Sequence, residues 1–126
     1  MASGAPSVYE YALLRVVPRV ERGEQINAGV LVYSRQAGGV LRCAVHLDER
    51  RLLALDPGAD VAGVRAALGA VAATCDGRGI GDEDPGRRFR WLTAPRSTIV
   101  QPGPVHCGLS EDPAAEADRL LRLLVR

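Results

Sequence analysis

Three apolar runs fall within the first 47 residues, and the stretches between them are too short for the chain to do anything but double back. YEYALLRVVP (9–18), AGVLVYS (28–34) and VLRCAVHL (40–47) are rich in aromatic and β-branched residues, the composition of strands. The second and third are joined by RQAGG (35–39), whose two glycines suit a tight turn. The first and second are joined by the charged stretch around Gly23, VERGEQIN. Parallel neighbours need a crossover of a dozen residues or more. The spacing therefore predicts an antiparallel meander.

Period-two alternation separates two unlike faces on these strands. Leu41, Cys43, Val45 and Leu47 share one face of the third run, against Arg42, Ala44 and His46. On the second, Ala28, Val30 and Val32 oppose Asn27, Gly29, Leu31 and Tyr33. On the first, Ala12, Leu14 and Val16 oppose Tyr9, Tyr11, Leu13 and Arg15. One face reads as core. The other mixes Tyr, Arg, Asn and His with Leu and suits a surface half covered by a further layer, a ligand or a second chain.

Helical signals follow. DERRLLAL (48–55) begins with Asp48 as cap and stops at Pro57-Gly58. Asp60 caps a longer helix in which Val61, Val64, Leu68, Val71 and Cys75 recur at helical spacing, and Asp76-Gly77 ends it. DGRGIGDEDPG (76–86) reads as a polar loop and STIVQ (97–101) as a fourth strand. Asp112-Pro113 opens a last helix with the stripe Ala117, Leu120, Leu121 and Leu124. The order β-β-β-α-α-β-α predicts an α+β two-layer sandwich with the helices packed on one face of an antiparallel meander. Leu41, Cys43, Val45, Leu68, Val71, Leu120 and Leu124 are expected to share its core. Residues 1–7 are expected to be a flexible N-terminus and 8–126 a single domain.

Composition removes several functions. All 16 basic residues are Arg and none is Lys, so no Lys amine is available for Schiff-base or phosphate-loop chemistry. The formal net charge is +1 and there are five aromatic residues, which argues against nucleic acid as partner. No apolar run approaches the length needed to span a bilayer, and no secretory signal is visible. The three cysteines are odd in number and lack a C-x-x-C pair; free thiols in a reducing cytoplasm are the expectation.

Cys43-x-x-His46 and His106-Cys107 offer zinc-ligand types, but residues 43 and 46 of one strand face opposite sides of a sheet. Zinc needs four ligands converging at about 2.0–2.3 Å, so no metal site and no cofactor is expected. Cys107 beside His106 is not expected to be a nucleophile–base pair either, because such pairs are assembled across a fold rather than between neighbours; a small buried Cys at the start of a turn is the expectation.

The segment FRWLTAPRSTIVQPGPVHCGL (89–109) holds the one Trp, three of the eight prolines and a concentration of Arg. Arg87, Arg88, Arg90 and Arg96 crowd around Phe89 and Trp91. Guanidinium groups grip carboxylates and phosphates bidentately, and Ser97, Thr98 and Gln101 add hydroxyl and amide donors. Trp91 and Ile99 are expected to anchor the segment in the core while Pro95, Pro102 and Pro104 hold it extended. The alternative is a solvated Arg face balancing the acidic residues 82–84. In the loop RVERGEQIN (19–27), Arg22 and Glu24 flank Gly23, and Asn27 and Gly29 point to the polar sheet face beside Arg15. There, Gly29 would let a ligand or another backbone come close.

YEYALLRVVPRVERGEQINAGVLVYS and RFRWLTAPRSTIVQPGPVHCGLSEDP together resemble the two signatures of the bacterial DUF3037 family, a domain of unknown function. The resemblance covers nearly the whole chain. Ala28 departs from the more usual Val, and Cys107 from Thr. Carried onto this chain, the motifs fall on Glu21, Arg22, Gly23, Glu24, Asn27 and Gly29, and on Trp91, Arg96, Ser97, Gln101 and His106. The resemblance implies an accessory role beside a HipA-like kinase homologue as partner.

The functional expectation is a small cytoplasmic binding or accessory module. Its site for an anionic ligand or protein partner would comprise Arg15, Arg22, Glu24, Asn27, Arg96, Ser97, Gln101 and His106. The rival is an enzyme acting on a phosphorylated or nucleotide-like substrate, with Glu24 or His106 as base and Arg22 and Arg96 as clamps. Formation of a homo-oligomer is left open.

Overall fold

The computed structural model describes residues 5–36, 39–77 and 84–126. Of the expected flexible stretch, residues 1–4 lie outside the described residues, as do residues 78–83 of the expected polar loop. The three leading strands form with displaced ends, β1 (Ser7–Val16), β2 (Ile26–Ser34) and β3 (Val40–Val45), and pair antiparallel in the order β3-β2-β1. The helices α1 (Glu49–Leu55) and α2 (Val61–Cys75) follow. Asp48 accepts from the Arg51 N–H and Asp60 from the Gly63 N–H, so both caps act as their position requires.

The α+β class and the antiparallel sheet are as expected. The order of the elements is β-β-β-α-α-α-β-β-α rather than β-β-β-α-α-β-α. An unexpected helix, α3 (Pro85–Leu92), occupies the end of the expected polar loop and the start of the segment 89–109. Asp84 accepts from the Arg87 N–H at 2.9 Å and Pro85 stands in the first turn, the same Asp-Pro start as at Asp112-Pro113. Downstream, STIVQ yields only β4 (Val100–Pro102), and a second short strand, β5 (His106–Ser110), follows before α4 (Pro113–Leu124).

β4 and β5 both pair with the outer edge of β1, β4 along Leu14–Val16 and β5 along Ser7–Tyr11. Between them the Gly103 N–H donates to the Leu13 carbonyl at 2.8 Å. The two are halves of one broken edge strand, interrupted where Pro104 has no N–H to give.

Helices cover both faces of the sheet rather than one. On one face, Leu14, Leu31 and Leu41 pack with Cys75 of α2 and Phe89 and Leu92 of α3. Towards one end of that face, Val16, Ile26, Ala28 and Val100 pack with Leu52 of α1 and Val64 and Leu68 of α2. On the other face, Tyr9, Val30 and Val32 pack with Ala117 and Leu120 of α4. The expected single core is therefore divided by the sheet: Leu41, Cys43, Leu68 and Val71 lie on the α2 side and Leu120 on the α4 side. Val45 and Leu124 are exposed. The physical reason stands in β2, where Val30, Leu31 and Val32 are consecutive and all fully buried. A strand covered on both faces has no polar side to alternate with.

A β-bulge puts Ala28 and Asn27 on the faces opposite to those their alternation predicts. Leu14 pairs with Gly29 but Arg15 pairs with Asn27, leaving Ala28 as the extra residue on β2. The bulge shifts the phase of the strand. Ala28 joins the α2 side, while the Asn27 amide reaches the Leu124 carbonyl at the end of α4.

Candidate functional site

The two Arg-bearing segments meet at one end of the sheet. Val16 pairs with Val100, Arg15 with Gln101, and the Val17 N–H donates to the Ile99 carbonyl at 2.7 Å. The hairpin loop between β1 and β2 starts at this end, and Pro18 shares a groove with residues 91–100. The groove runs between α2 and that segment and has a volume of about 650 Å³. The segment lies antiparallel to α2: Leu92 packs near Val71 and Cys75, and Val100 near Val64 and Leu68. Val64, Ala67, Ala70, Val71 and Thr74 make the helical wall, and Trp91, Arg96, Thr98 and Ile99 the facing one.

At the Trp91 end a guanidinium is held in place by the backbone. Arg96 donates through Nη2 to the Trp91 carbonyl at 2.5 Å and through Nε to the Ala94 carbonyl at 3.3 Å. Its Cζ stands 4.9 Å from the centre of the Trp91 ring, within cation–π range. No acid pairs with it among the described residues. The other end of the groove is acidic: Asp56 and Asp60 line it, each already accepting from a backbone N–H, of Gly58 and Gly63 respectively.

Trp91 does not anchor the core. It is 52% exposed, and Ile99 is exposed as well. Phe89, fully buried, and Leu92 take that role. On α3 residues 89 and 92 share the inward side at helical spacing, which turns Trp91 outward. Phe89 stacks with Tyr33 at 5.3 Å between ring centres. Arg90 reaches back to β1 and binds both oxygens of Glu10, at 3.0 and 2.9 Å. That hydrogen bond pushes the Arg90 pKa up, so Arg90 is a structural tether between α3 and β1.

The remaining sequence-selected residues fall in separate places. Arg15, Asn27 and Gln101 form one row across β2, β1 and β4 on the α4 side of the sheet. The Gln101 amide donates to the Thr98 carbonyl at 2.7 Å. The Arg15 guanidinium lies over Gly103, where an added Cβ would stand 3.0 Å from its Cζ. Its Nε is buried without a hydrogen-bond partner. Arg22 and Glu24 pair with each other at 2.9 Å in the exposed hairpin loop, and Ser97 is exposed beside Arg96. His106 lies further along β1, opposite Tyr11, with 5.2 Å between ring centres. The space beside Gly29 is filled by the Ala44 carbonyl, Val45 and Leu14 at 2.9–3.1 Å, so that glycine admits the neighbouring strand rather than a ligand.

Two of the thiols are set apart by burial. Desolvation pushes Cys43 up to about 12 and Cys75 up to about 11, with each raised further by the negative charge of Asp76. Cys107, expected to be buried at the start of a turn, is instead exposed on β5, an outer strand of the sheet. Among the described residues no group of three or more His, Cys, Asp or Glu is placed to hold a metal ion, and no helix is long and apolar enough to cross a membrane.

The α2 wall of the groove had no separate mark in the sequence reading, which took one stripe of that helix as core. The signal that could have found it was breadth: VAGVRAALGAVAATC carries a single charged residue, and a helix apolar over more than one stripe has more than one covered or concave side. No curated protein and no solved structure matches this chain. A family model does match, over residues 11–125 and thus through both motif segments, the sheet and all four helices; the chain belongs to DUF3037, a family of proteins of unknown function.

Proposed function

We propose that the chain is a small non-catalytic binding module whose ligand site is the groove between α2 and residues 91–100. One observation carries this reading: a guanidinium fixed by two backbone carbonyls and stacked on a half-exposed indole at the mouth of an apolar groove. Two of the N–H groups of Arg96 are used to fix it, and the guanidinium has five. The rest remain for an anion. A guanidinium already oriented loses little entropy on binding.

The charges of the groove set the direction of the ligand. A carboxylate or phosphate would sit at Arg96, with Ser97 beside it, and an apolar body would lie along Val71, Ala67 and Val64. Asp56 and Asp60 would repel an anion at the far end. The fitting class is a molecule with one anionic group on an aliphatic or aromatic body. An acidic segment of a protein partner, such as the HipA-like kinase homologue implied by the family resemblance, would use the same features.

Thermal melts with a panel of fatty carboxylates, aryl phosphates and nucleotides test this reading. A ligand at one hundred times its Kd stabilises the fold by about 2.7 kcal/mol, a shift easily read. Arg96→Ala is expected to fold and to lose most of that shift. If no member of the panel raises the Tm of the wild type, or if Arg96→Ala retains the full shift, the reading fails.

A further inference from the structure

We propose that β5 is the interface of a homodimer, in which two copies pair antiparallel through their β5 edges about a two-fold axis at Gly108. The proposal is independent of the groove.

The first observation is an unguarded edge. Among the described strands β5 pairs with β1 alone, so its outer backbone groups have no partner in the sheet. His106–Ser110 carries no Asp, Glu, Lys or Arg and no proline, the residues that normally blunt an edge. The other edge, β3, carries Arg42 and is packed by α4, and β4 ends at Pro102. On the α3 side of the sheet, beyond the reach of α3, Leu109 is 66% and its cross-strand neighbour Val8 55% exposed. The exposed Cys107 lies on the same side.

The second observation says what covers this edge. The Arg15 guanidinium makes no ion pair among the described residues, and its Nε is buried without a partner. It lies over Gly103, just before β5. Glu111 and Asp112, just after β5, are exposed acids with no ion pair among the described residues, and Asp112 makes no side-chain cap bond to α4. An unpaired cation thus flanks one end of the strand and unpaired acids the other. Antiparallel pairing of two identical strands brings unlike ends together. With the axis at Gly108, Cys107 stands opposite Leu109 of the second copy and His106 opposite Ser110. Asp112 of the second copy stands opposite Pro104, next to the Gly103 on which Arg15 rests. Leu109 and Val8 of both copies then join in one apolar strip, and no like charges are opposed. Such an interface is self-complementary, as a two-fold requires, and it extends the sheet by main-chain hydrogen bonds.

Sedimentation equilibrium of the full chain tests this, with Leu109→Lys as the edge-blocking variant. The wild type is expected to be a dimer at about 10 μM and the variant at least about tenfold weaker in self-association. Leu109 is largely exposed, so the variant should keep its far-UV spectrum and its cooperative unfolding, with a Tm lowered only by the stabilisation the dimer supplied. Arg15→Glu should weaken the dimer, and Arg15→Glu with Asp112→Arg should restore it. The register is tested with Leu109→Cys. Mild oxidation of that variant with diamide should link Cys107 of one copy to the introduced thiol at position 109 of the other, and Cys107→Ser in the same background should abolish the link. A wild type that stays monomeric at about 100 μM, a dimer indifferent to Leu109→Lys, or the absence of the 107–109 link would each overturn the proposal. Capture of a strand from a different protein by a monomeric chain would do the same.

Discussion

Arg96 and Arg15 carry the same charge and have opposite surroundings, and that difference was not legible in the sequence. Both stand in Arg-containing motifs, but the fold puts one over an indole at a groove and the other over Gly103 on the opposite side of the sheet. The three thiols also differ in their surroundings: Cys43 is half-buried and Cys75 buried, whereas Cys107 is exposed. Native protein should be labelled by iodoacetamide at Cys107 alone, with Cys43 and Cys75 reacting only after unfolding, as peptide mass mapping would show. Rapid labelling of either buried thiol at neutral pH would contradict their placement. The pH dependence follows in sign. An unfolded thiol ionises near 9, while the folded values are about 12 and 11. Above pH 9 the unfolded state sheds these protons first, so the stability present below that pH is lost as it rises toward the folded values. Urea melts between about pH 8 and 11 should show that decline, and Cys43→Ala should flatten it.

Gly29 makes the corresponding point about packing. A Cβ there would meet the Ala44 carbonyl oxygen at 2.9 Å, a backbone atom that cannot step aside without opening the β2–β3 pair. Gly29→Ala should cost about 1–3 kcal/mol, the usual scale of overpacking. Urea denaturation is the measurement, and an unchanged midpoint would show that β3 is not held as described.

At the scale of elements, strands and capped helices are legible where local chemistry decides. Asp48, Asp60 and Asp112-Pro113 each mark the start of a helix. The same Asp-Pro signal at Asp84-Pro85 is masked, because Gly86 and three arginines follow it and leave only Phe89, Trp91 and Leu92 as apolar residues. The packing of Phe89 and Leu92 against Leu14, Leu31, Leu41 and Cys75, together with the tether from Arg90 to Glu10, is what makes α3 worth forming. Phe89→Ala should therefore destabilise by about 3–5 kcal/mol, whereas Trp91→Ala should cost about 1 kcal/mol or less, since a surface cation–π contact is what it loses. Equal losses in thermal denaturation would mean that Trp91 is a core residue after all. β5 is hidden for a different reason: three prolines and two glycines between 95 and 108 obscure a strand whose partner, β1, lies about a hundred residues away.

At the scale of the molecule, the α+β class and the antiparallel sheet follow from three short strands and their turns. The second helical layer does not, because nothing local assigns α4 to the face opposite α2. That placement has a functional consequence. With α4 covering Tyr9, Val30 and Val32, the polar side of the sheet is largely closed, and the open concavity lies instead on the α2 side. Trp91, the chain's one tryptophan, stands in that concavity and reports on its occupancy. The decisive measurement is a fluorescence titration of the intact protein with carboxylates and phosphates that carry an aliphatic or aromatic body. The account predicts a saturable change in Trp91 emission and at least about a tenfold loss of affinity in Arg96→Ala, the scale of one hydrogen bond to a charged group. Emission that no such ligand changes, or a response that survives Arg96→Ala intact, would contradict it.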